Sequence, residues 1–78
     1  MKDIYEKVGT VIAQILMYSK KVSAIRKPVF RDEDVLLIFL DQQGIAHDIS
    51  ITYSTLTRVH DHSLETMVFD IMVKEDIL

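Results

Sequence analysis

The segment between residues 34 and 53 constrains the fold more than any other part of this chain. It begins with an apolar run from Val35 to Leu40, continues through Asp41-Gln-Gln-Gly44, and ends in a stretch of alternating apolar and polar residues. Glycine at position 44 supplies the left-handed backbone conformation that a type I turn followed by a bulge requires. The pattern therefore predicts an antiparallel β-hairpin over residues 34–53.

The turn also sets the register of the hairpin, because it places Asp41 opposite Ile45. The face expected to line the core pairs Val35 with Ile51, Leu37 with Ile49, and Phe39 with His47. The outer face pairs Leu36 with Ser50, Ile38 with Asp48, and Leu40 with Ala46. This outer face is apolar on its first strand and polar on its second, which is typical of a sheet that another chain partly covers. A slip of one residue would exchange the two faces.

The N-terminal part of the chain has the spacing of an amphipathic helix that extends from Asp3 to about Lys21. Its apolar residues are Ile4, Val8, Val11, Ile12, Ile15 and Leu16. Asp3 and Glu6 would lie in the first turn and Lys20 and Lys21 in the last. These are the ends at which the helix dipole favours each charge.

A second amphipathic helix is predicted near the C-terminal end, with Asp61 or Ser63 as its N-cap. Its apolar stripe consists of Leu64, Met67, Val68, Ile71 and Met72. Residues 54–62, which precede it, are predicted to be a connector, with a helical turn capped by Ser54 as an alternative within it. The last residues, 74–78, should fray unless Ile77 and Leu78 dock on the rest of the protein.

Residues 22–31 have no clear period. Their β-branched residues and Pro28 favour either an edge strand over residues 24–31 or a structured linker, since proline cannot donate to a β-ladder. The sequence as a whole predicts an α+β fold, with two amphipathic helices packed on a small antiparallel sheet in the order α-(β)-β-β-α. Residues 1–78 are expected to form one small domain.

Such a short chain buries only about 60% of the surface of its unfolded state and usually needs further stabilisation. The chain has 78 residues and no cysteine, so disulfides are excluded, yet 49% of its residues are hydrophobic. The surplus of apolar residues predicts a homodimer or a higher oligomer. No apolar run is long enough to span a membrane, and the N-terminal sequence is typical of an amphipathic helix rather than a signal peptide. We therefore expect a cytoplasmic protein with no membrane partner.

The charges are unevenly distributed along the chain. Residues 1–31 contain seven lysines and arginines against two acids, whereas residues 32–78 contain two against ten, so the net charges are +5 and −8. Five of the basic residues form a candidate basic patch: Lys20, Lys21, Arg26, Lys27 and Arg31. This patch could contact phosphates of a nucleic acid, or it could fold against acidic residues of its own chain or a second subunit. The overall pI of about 5.4 argues against non-specific nucleic-acid binding.

Few residues point to chemistry. His60 and His62 could share a metal ion, but this spacing is more typical of a polar loop, and no cofactor is expected. The acidic run Asp32-Glu-Asp34 precedes an apolar strand, where charges usually prevent aggregation. The sequence has no nucleophile motif and no glycine-rich phosphate loop, so we do not expect an enzyme.

The function predicted from the sequence is a non-enzymatic protein-interaction module, such as an adaptor, an assembly factor or an inhibitor of a larger protein machine. It would act as a homodimer by occupying a surface. The expected apolar anchors of the interface are Met17, Tyr18, Leu36, Ile38 and Leu40. The alternative is a small nucleic-acid-binding regulator that uses the basic segment 20–31.

Overall fold

The computed structural model describes residues 4–78, apart from the side chain of Asp61. Within this range the element order is α-β-β-β-β-α-α, which confirms the α+β class. The elements are α1 (Ile4–Tyr18), β1 (Val22–Ile25), β2 (Val29–Phe30), β3 (Asp34–Asp41), β4 (Ala46–Thr52), α2 (Tyr53–Arg58) and α3 (Asp61–Lys74). No helix among the described residues is long and apolar enough to cross a membrane.

Strand β3 is the centre of an antiparallel sheet. Strand β4 pairs with one of its edges, and β1 and β2 pair one after the other with its opposite edge. The predicted edge strand over residues 24–31 is therefore present as two short strands, interrupted around Pro28. The backbone N–H of Arg26 still donates to the carbonyl of Ile38 at 2.9 Å, so the ladder continues one residue beyond β1.

The hairpin formed by β3 and β4 has the predicted register at all six pairs, from Val35 with Ile51 to Leu40 with Ala46. The backbone N–H of Asp41 donates to the carbonyl of Ile45, and the N–H of Gly44 donates to the carbonyl of Asp41, both at 3.0 Å. Gly44 has a φ of 79°, so glycine is present where the turn requires a left-handed residue.

The core lies between the sheet and the three helices. Val35, Leu37 and Phe39 on β3 are fully buried, and α1, α2 and α3 cover this face of the sheet with apolar side chains. The buried residues that the helices contribute are Val8, Val11, Ile15, Leu56, Leu64, Val68 and Met72. The alternate side chains of β3 point to the opposite face and do not belong to this cluster.

The two predicted helices are joined by a third, because residues 53–58 form the short helix α2. The expected connector over residues 54–62 and the expected cap at Ser54 are corrected with it. The chain passes from β4 directly into α2, where the side chain of Thr52 accepts a hydrogen bond from the N–H of Thr55 at 3.2 Å. Leu56 is fully buried and anchors this short helix to the core.

Two predicted helix ends also differ from the structure. Helix α1 ends at Tyr18, so Lys20 and Lys21 lie beyond its last turn. The reason is the buried hydroxyl of Ser19, which accepts hydrogen bonds from the N–H groups of Lys21 and Val22, each at 3.2 Å. Asp3, the predicted start of this helix, lies outside the described residues.

Helix α3 follows an N-cap at His60 rather than at Asp61 or Ser63, and the imidazole makes no capping hydrogen bond. The backbone of His60 is extended, with φ −71° and ψ 154°, so helical geometry already begins at Asp61. At the other end, Ile77 is buried and docks the C-terminal residues on the core, whereas Leu78 is 46% exposed.

Candidate protein-interaction surface

The outer face of the sheet is the face turned away from the helices. Its middle strand carries Leu36, Ile38 and Leu40, each of which is partly exposed. Val29 lies opposite Leu36 on the β2 side and is 44% exposed. Leu40 lies between two exposed alanines, Ala24 on β1 and Ala46 on β4. The outer face therefore presents a continuous apolar strip along β3.

Opposite charges flank this strip at its middle row. Arg26 lies beside Ile38 on the β1 side, and Asp48 pairs with Ile38 on the β4 side. Both side chains are exposed, and neither forms an ion pair or a side-chain hydrogen bond within the part of the chain that the structure describes. Two strand spacings, about 10 Å, separate their backbones, and their side chains do not pair with each other across Ile38 in the structure.

An ion pair between Arg31 and Asp34 lies at one end of the outer face. The guanidinium of Arg31 donates two hydrogen bonds to the carboxylate of Asp34, at 2.7 and 2.8 Å, and a third to the hydroxyl of Ser50 at 3.1 Å. The hydrogen bond to Asp34 raises the pKa of Arg31, and the same bond lowers the pKa of the Asp34 carboxyl. Tyr53 donates from its hydroxyl to the carbonyl of Arg31 at 2.6 Å, which fixes this corner to α2.

The five residues of the candidate basic patch do not form one compact cluster. They follow the β1–β2 edge from the hairpin turn to the far end of β3, a strand of eight residues and roughly 26 Å. Lys21 forms an exposed ion pair with Asp76 at 3.1 Å, and Arg31 is paired with Asp34. Lys20, Arg26 and Lys27 are exposed and form no ion pair with the described residues.

The five predicted interface anchors lie on two separate surfaces. Leu36, Ile38 and Leu40 lie together on the outer face of the sheet, as described. Met17 and Tyr18 lie at the end of α1, on the helix layer across the sheet. Met17 is 71% exposed, whereas the Tyr18 ring packs against Phe69 of α3 with centroids 5.0 Å apart.

The histidines occupy two different sites. The rings of His60 and His62 stack with centroids 5.6 Å apart and planes within 5° of parallel. No group of three or more histidine, aspartate or glutamate side chains that could hold a metal ion occurs among the described residues. His47 pairs with Phe39 on the ladder, and its Nε2 lies 3.0 Å from the carboxylate of Asp41.

The carboxylate of Asp41 organises the hairpin turn. It accepts hydrogen bonds from the N–H groups of Gln43 at 2.8 Å and Ile45 at 2.9 Å, in addition to its contact with His47. These hydrogen bonds, with that of His47 the largest contribution, lower the pKa of the Asp41 carboxyl. The turn is therefore held by side-chain as well as backbone hydrogen bonds.

Two features of the structure were not identified from the sequence. Lys7 is buried, with only 8% of its surface exposed. The signal in the sequence was its position on the buried face of α1, one turn before Val11 and two turns before Ile15. A second feature is a shallow cleft of about 310 Å³ lined by Ile4, Tyr5, Phe30 and Tyr53. The Tyr5 and Phe30 rings make contact there with centroids 4.7 Å apart. Only the fold brings these aromatic residues together, so the local sequence gave no signal for the cleft.

No protein-family model, curated protein or solved structure significantly matches this chain.

Proposed function

We propose that this chain is a non-enzymatic protein-interaction module that acts in the cytoplasm as a homodimer, through the outer face of its sheet. Its role would be that of an adaptor, an assembly factor or an inhibitor that occupies a surface of a larger protein. The observation that carries the proposal is the apolar strip of Leu36, Ile38 and Leu40 at the middle of a sheet face that no helix of the described chain covers.

Burial of this strip contributes to the driving force for association. Fully burying one large aliphatic side chain contributes about 1.5–3 kcal/mol relative to full exposure. The three side chains of the strip are already partly buried, so each gains part of this value on association, and the sheet already holds them rigid. Sheet faces with alternating apolar residues pack well on one another, as in β-sandwiches. A half-apolar face between polar flanks also has the composition of a protein interface, with an apolar centre and a polar rim.

The direct test is the substitution Ile38→Glu. It places a carboxylate at the centre of the proposed interface, so we expect the dimer to dissociate into monomers in size-exclusion chromatography with light scattering. Far-UV circular dichroism should remain close to that of the wild type, because Ile38 lies outside the core. The matched control is Val73→Glu, which introduces the same charge at a 64% exposed position on α3.

Two results would contradict this proposal. A dimer that persists in Ile38→Glu would place the interface elsewhere. A monomer that also loses its helical signal would show that Ile38 supports the fold rather than the interface. The control separates these effects from a general response to added negative charge.

A nucleic-acid-binding role for residues 20–31 is the second candidate. It is favoured by the exposure of Lys20, Arg26 and Lys27, which keep their charges free of ion pairs within the described chain. It is less well supported than protein binding, because acidic residues of the same chain pair with Lys21 and Arg31.

A further inference from the structure

We infer that two copies of this chain stack their outer faces about a two-fold axis that runs parallel to β3, so that Arg26 of each copy lies over Asp48 of the other. This inference rests on the proposed function and specifies the partner and the symmetry of its interface. It is supported by the row that contains Ile38, by the two unpaired charges that flank this row, and by the geometry of stacked sheets.

The row that contains Ile38 lies close to the middle of β3, which extends from Asp34 to Asp41. Its three positions across the sheet are basic, apolar and acidic: Arg26, Ile38 and Asp48. Ile25 packs against the core, so the alternation of side chains turns Arg26 toward the outer face. The two charges therefore point to the same side as Ile38, and each is available to a second molecule.

Only one of the two simple symmetric arrangements satisfies these charges. An axis parallel to β3 exchanges the two flanks of the sheet and keeps the rows, so it places Arg26 over Asp48 twice and Ile38 against Ile38. An axis across the strands keeps the flanks and exchanges the ends, so it places Arg26 over Arg26 and Asp48 over Asp48. Since like charges in contact oppose association and opposite charges favour it, the first arrangement is selected.

The twist of the sheets does not remove this pairing. Stacked sheets cross at about 30° and lie about 10 Å apart. The crossing displaces residues in proportion to their distance from the point where the two β3 strands cross, and the Ile38 row lies near this point at the centre of the face. The end rows, where the ion pair of Arg31 with Asp34 closes one corner, diverge most.

The size of the face sets the expected affinity. Three strands and eight residues cover roughly 14 Å by 26 Å, about 360 Å² on each copy, which is less than half of the roughly 800 Å² per partner in a standard interface. We therefore expect weak association, with a dissociation constant on the order of 10⁻⁵ M or higher. Association must be measured over a series of protein concentrations, for which sedimentation velocity is suited.

The experiment is a charge exchange at the two flanking positions. Arg26→Glu places Glu against Asp48, and Asp48→Lys places Lys against Arg26, so each variant alone should dimerise about tenfold more weakly or worse. An equimolar mixture of the two variants should form a heterodimer, because both contacts are then between opposite charges. The double variant Arg26→Glu/Asp48→Lys should form a homodimer for the same reason.

Lys27→Glu is the matched control for net charge. It makes the same change of charge at the neighbouring exposed residue, which lies outside the Ile38 row. The dissociation constant should stay within about threefold of the wild-type value, because surface substitutions usually change the free energy by no more than about 0.5 kcal/mol. The far-UV spectrum of every variant should match that of the wild type, since Arg26 and Asp48 are exposed.

The possible outcomes separate this inference from the proposed function. If the wild type dimerises, Ile38→Glu abolishes the dimer and the charge variants have no effect, the axis assigned here is wrong and the interface remains. If the dimer survives Ile38→Glu, both the assigned axis and the proposed interface on the outer face are wrong. A wild type that is monomeric at every concentration overturns the homodimer and this arrangement together.

Discussion

Lys7 carries its charge into the protein interior. Its ammonium group donates to the carbonyl of Leu56 at 2.6 Å and to the carbonyl of Val59 at 2.9 Å. These carbonyls lie at the C-terminal end of α2, where a helix leaves backbone acceptors unpaired and its dipole favours a positive charge. One side chain of α1 thus satisfies the end of a short helix about fifty residues away in sequence.

We expect Lys7→Met to destabilise the protein by about 2 kcal/mol, because it keeps the aliphatic stem and removes both charge-assisted hydrogen bonds. In a chain of this size, that loss lowers the Tm by roughly 8–16 °C. Thermal and urea unfolding at matched protein concentration measure the effect. Lys74→Met is the control, since Lys74 is exposed and its loss should change stability by less than about 0.5 kcal/mol. Equal effects of the two variants would show that the buried contacts of Lys7 contribute little.

At the scale of the element, the end of α3 is closed by a hydrogen-bonded motif that uses an unfavourable residue. The N–H of Ile77 donates to the carbonyl of Met72 at 2.9 Å, and the N–H of Asp76 donates to that of Val73 at 3.2 Å. This is the Schellman pattern, in which the residue after the C-cap is left-handed and is most often glycine. Here the position is Asp76, with a φ of 56°. The motif directs Ile77 into the core, where Ser19 donates a hydrogen bond to its carbonyl.

Replacing Asp76 with glycine should stabilise the protein. Asp76→Gly removes the steric cost of the left-handed conformation, and the exposed ion pair with Lys21 that it also removes contributes little. We expect a gain of about 0.5–1 kcal/mol, visible as a higher midpoint in thermal unfolding. Asp76→Ala deletes the same carboxylate without relieving the backbone, so it should lower the midpoint. If the unfolding midpoint falls in both variants, the ion pair between Asp76 and Lys21 contributes more to stability than relief of the left-handed backbone at position 76.

The elements also show which parts of the fold are encoded locally. The hairpin of β3 and β4 was predictable to the residue pair, because alternation gave its faces and Gly44 gave its turn. Helix α2 was not, since its six residues include three hydroxyl-bearing Ser and Thr side chains with low helix propensity. Its stability comes from buried Leu56 and from Lys7, which are tertiary effects that no local pattern reveals.

The same distinction applies to the candidate interaction surface. Its apolar strip was predictable from the alternation of β3 alone. The position of Arg26 beside Ile38 was not, because β1 pairs with β3 through a register shift between Val22 and Ala24 and ends before Pro28. Counting residues along such an interrupted edge strand does not give the neighbours of each residue across the sheet.

At the scale of the whole molecule, folding converts the uneven charge of the sequence into two flanks of one sheet. The basic first part of the chain supplies α1 and the β1–β2 edge, and the acidic remainder supplies β3, β4 and α3. The ion pairs of Lys21 with Asp76 and Arg31 with Asp34 join the two parts and neutralise some of the asymmetry within the molecule. The unpaired charges that remain on the outer face, Arg26 and Asp48, would complement a surface with the reverse order of charge.

The response to salt distinguishes a protein partner from a nucleic acid. Three phosphate contacts, from Lys20, Arg26 and Lys27, would weaken nucleic-acid binding by about 40-fold between about 50 and 200 mM salt, since log K changes by about 0.9 per contact for each unit of log salt. A dimer held by the apolar strip should weaken only a few-fold, because salt screens the rim charges and leaves apolar burial intact.

Size-exclusion chromatography with light scattering at both salt concentrations, with absorbance recorded at the nucleic-acid and protein maxima, measures both cases. The chain has three tyrosines and no tryptophan, so its own absorbance is weak and a small amount of bound nucleic acid would dominate the ratio. We expect a protein-only dimer at both salt concentrations. The contrary result is a species with excess nucleic-acid absorbance that disappears in high salt. If this species is also absent from the variant Lys20→Glu/Lys21→Glu/Lys27→Glu, the basic segment 20–31 is the functional surface.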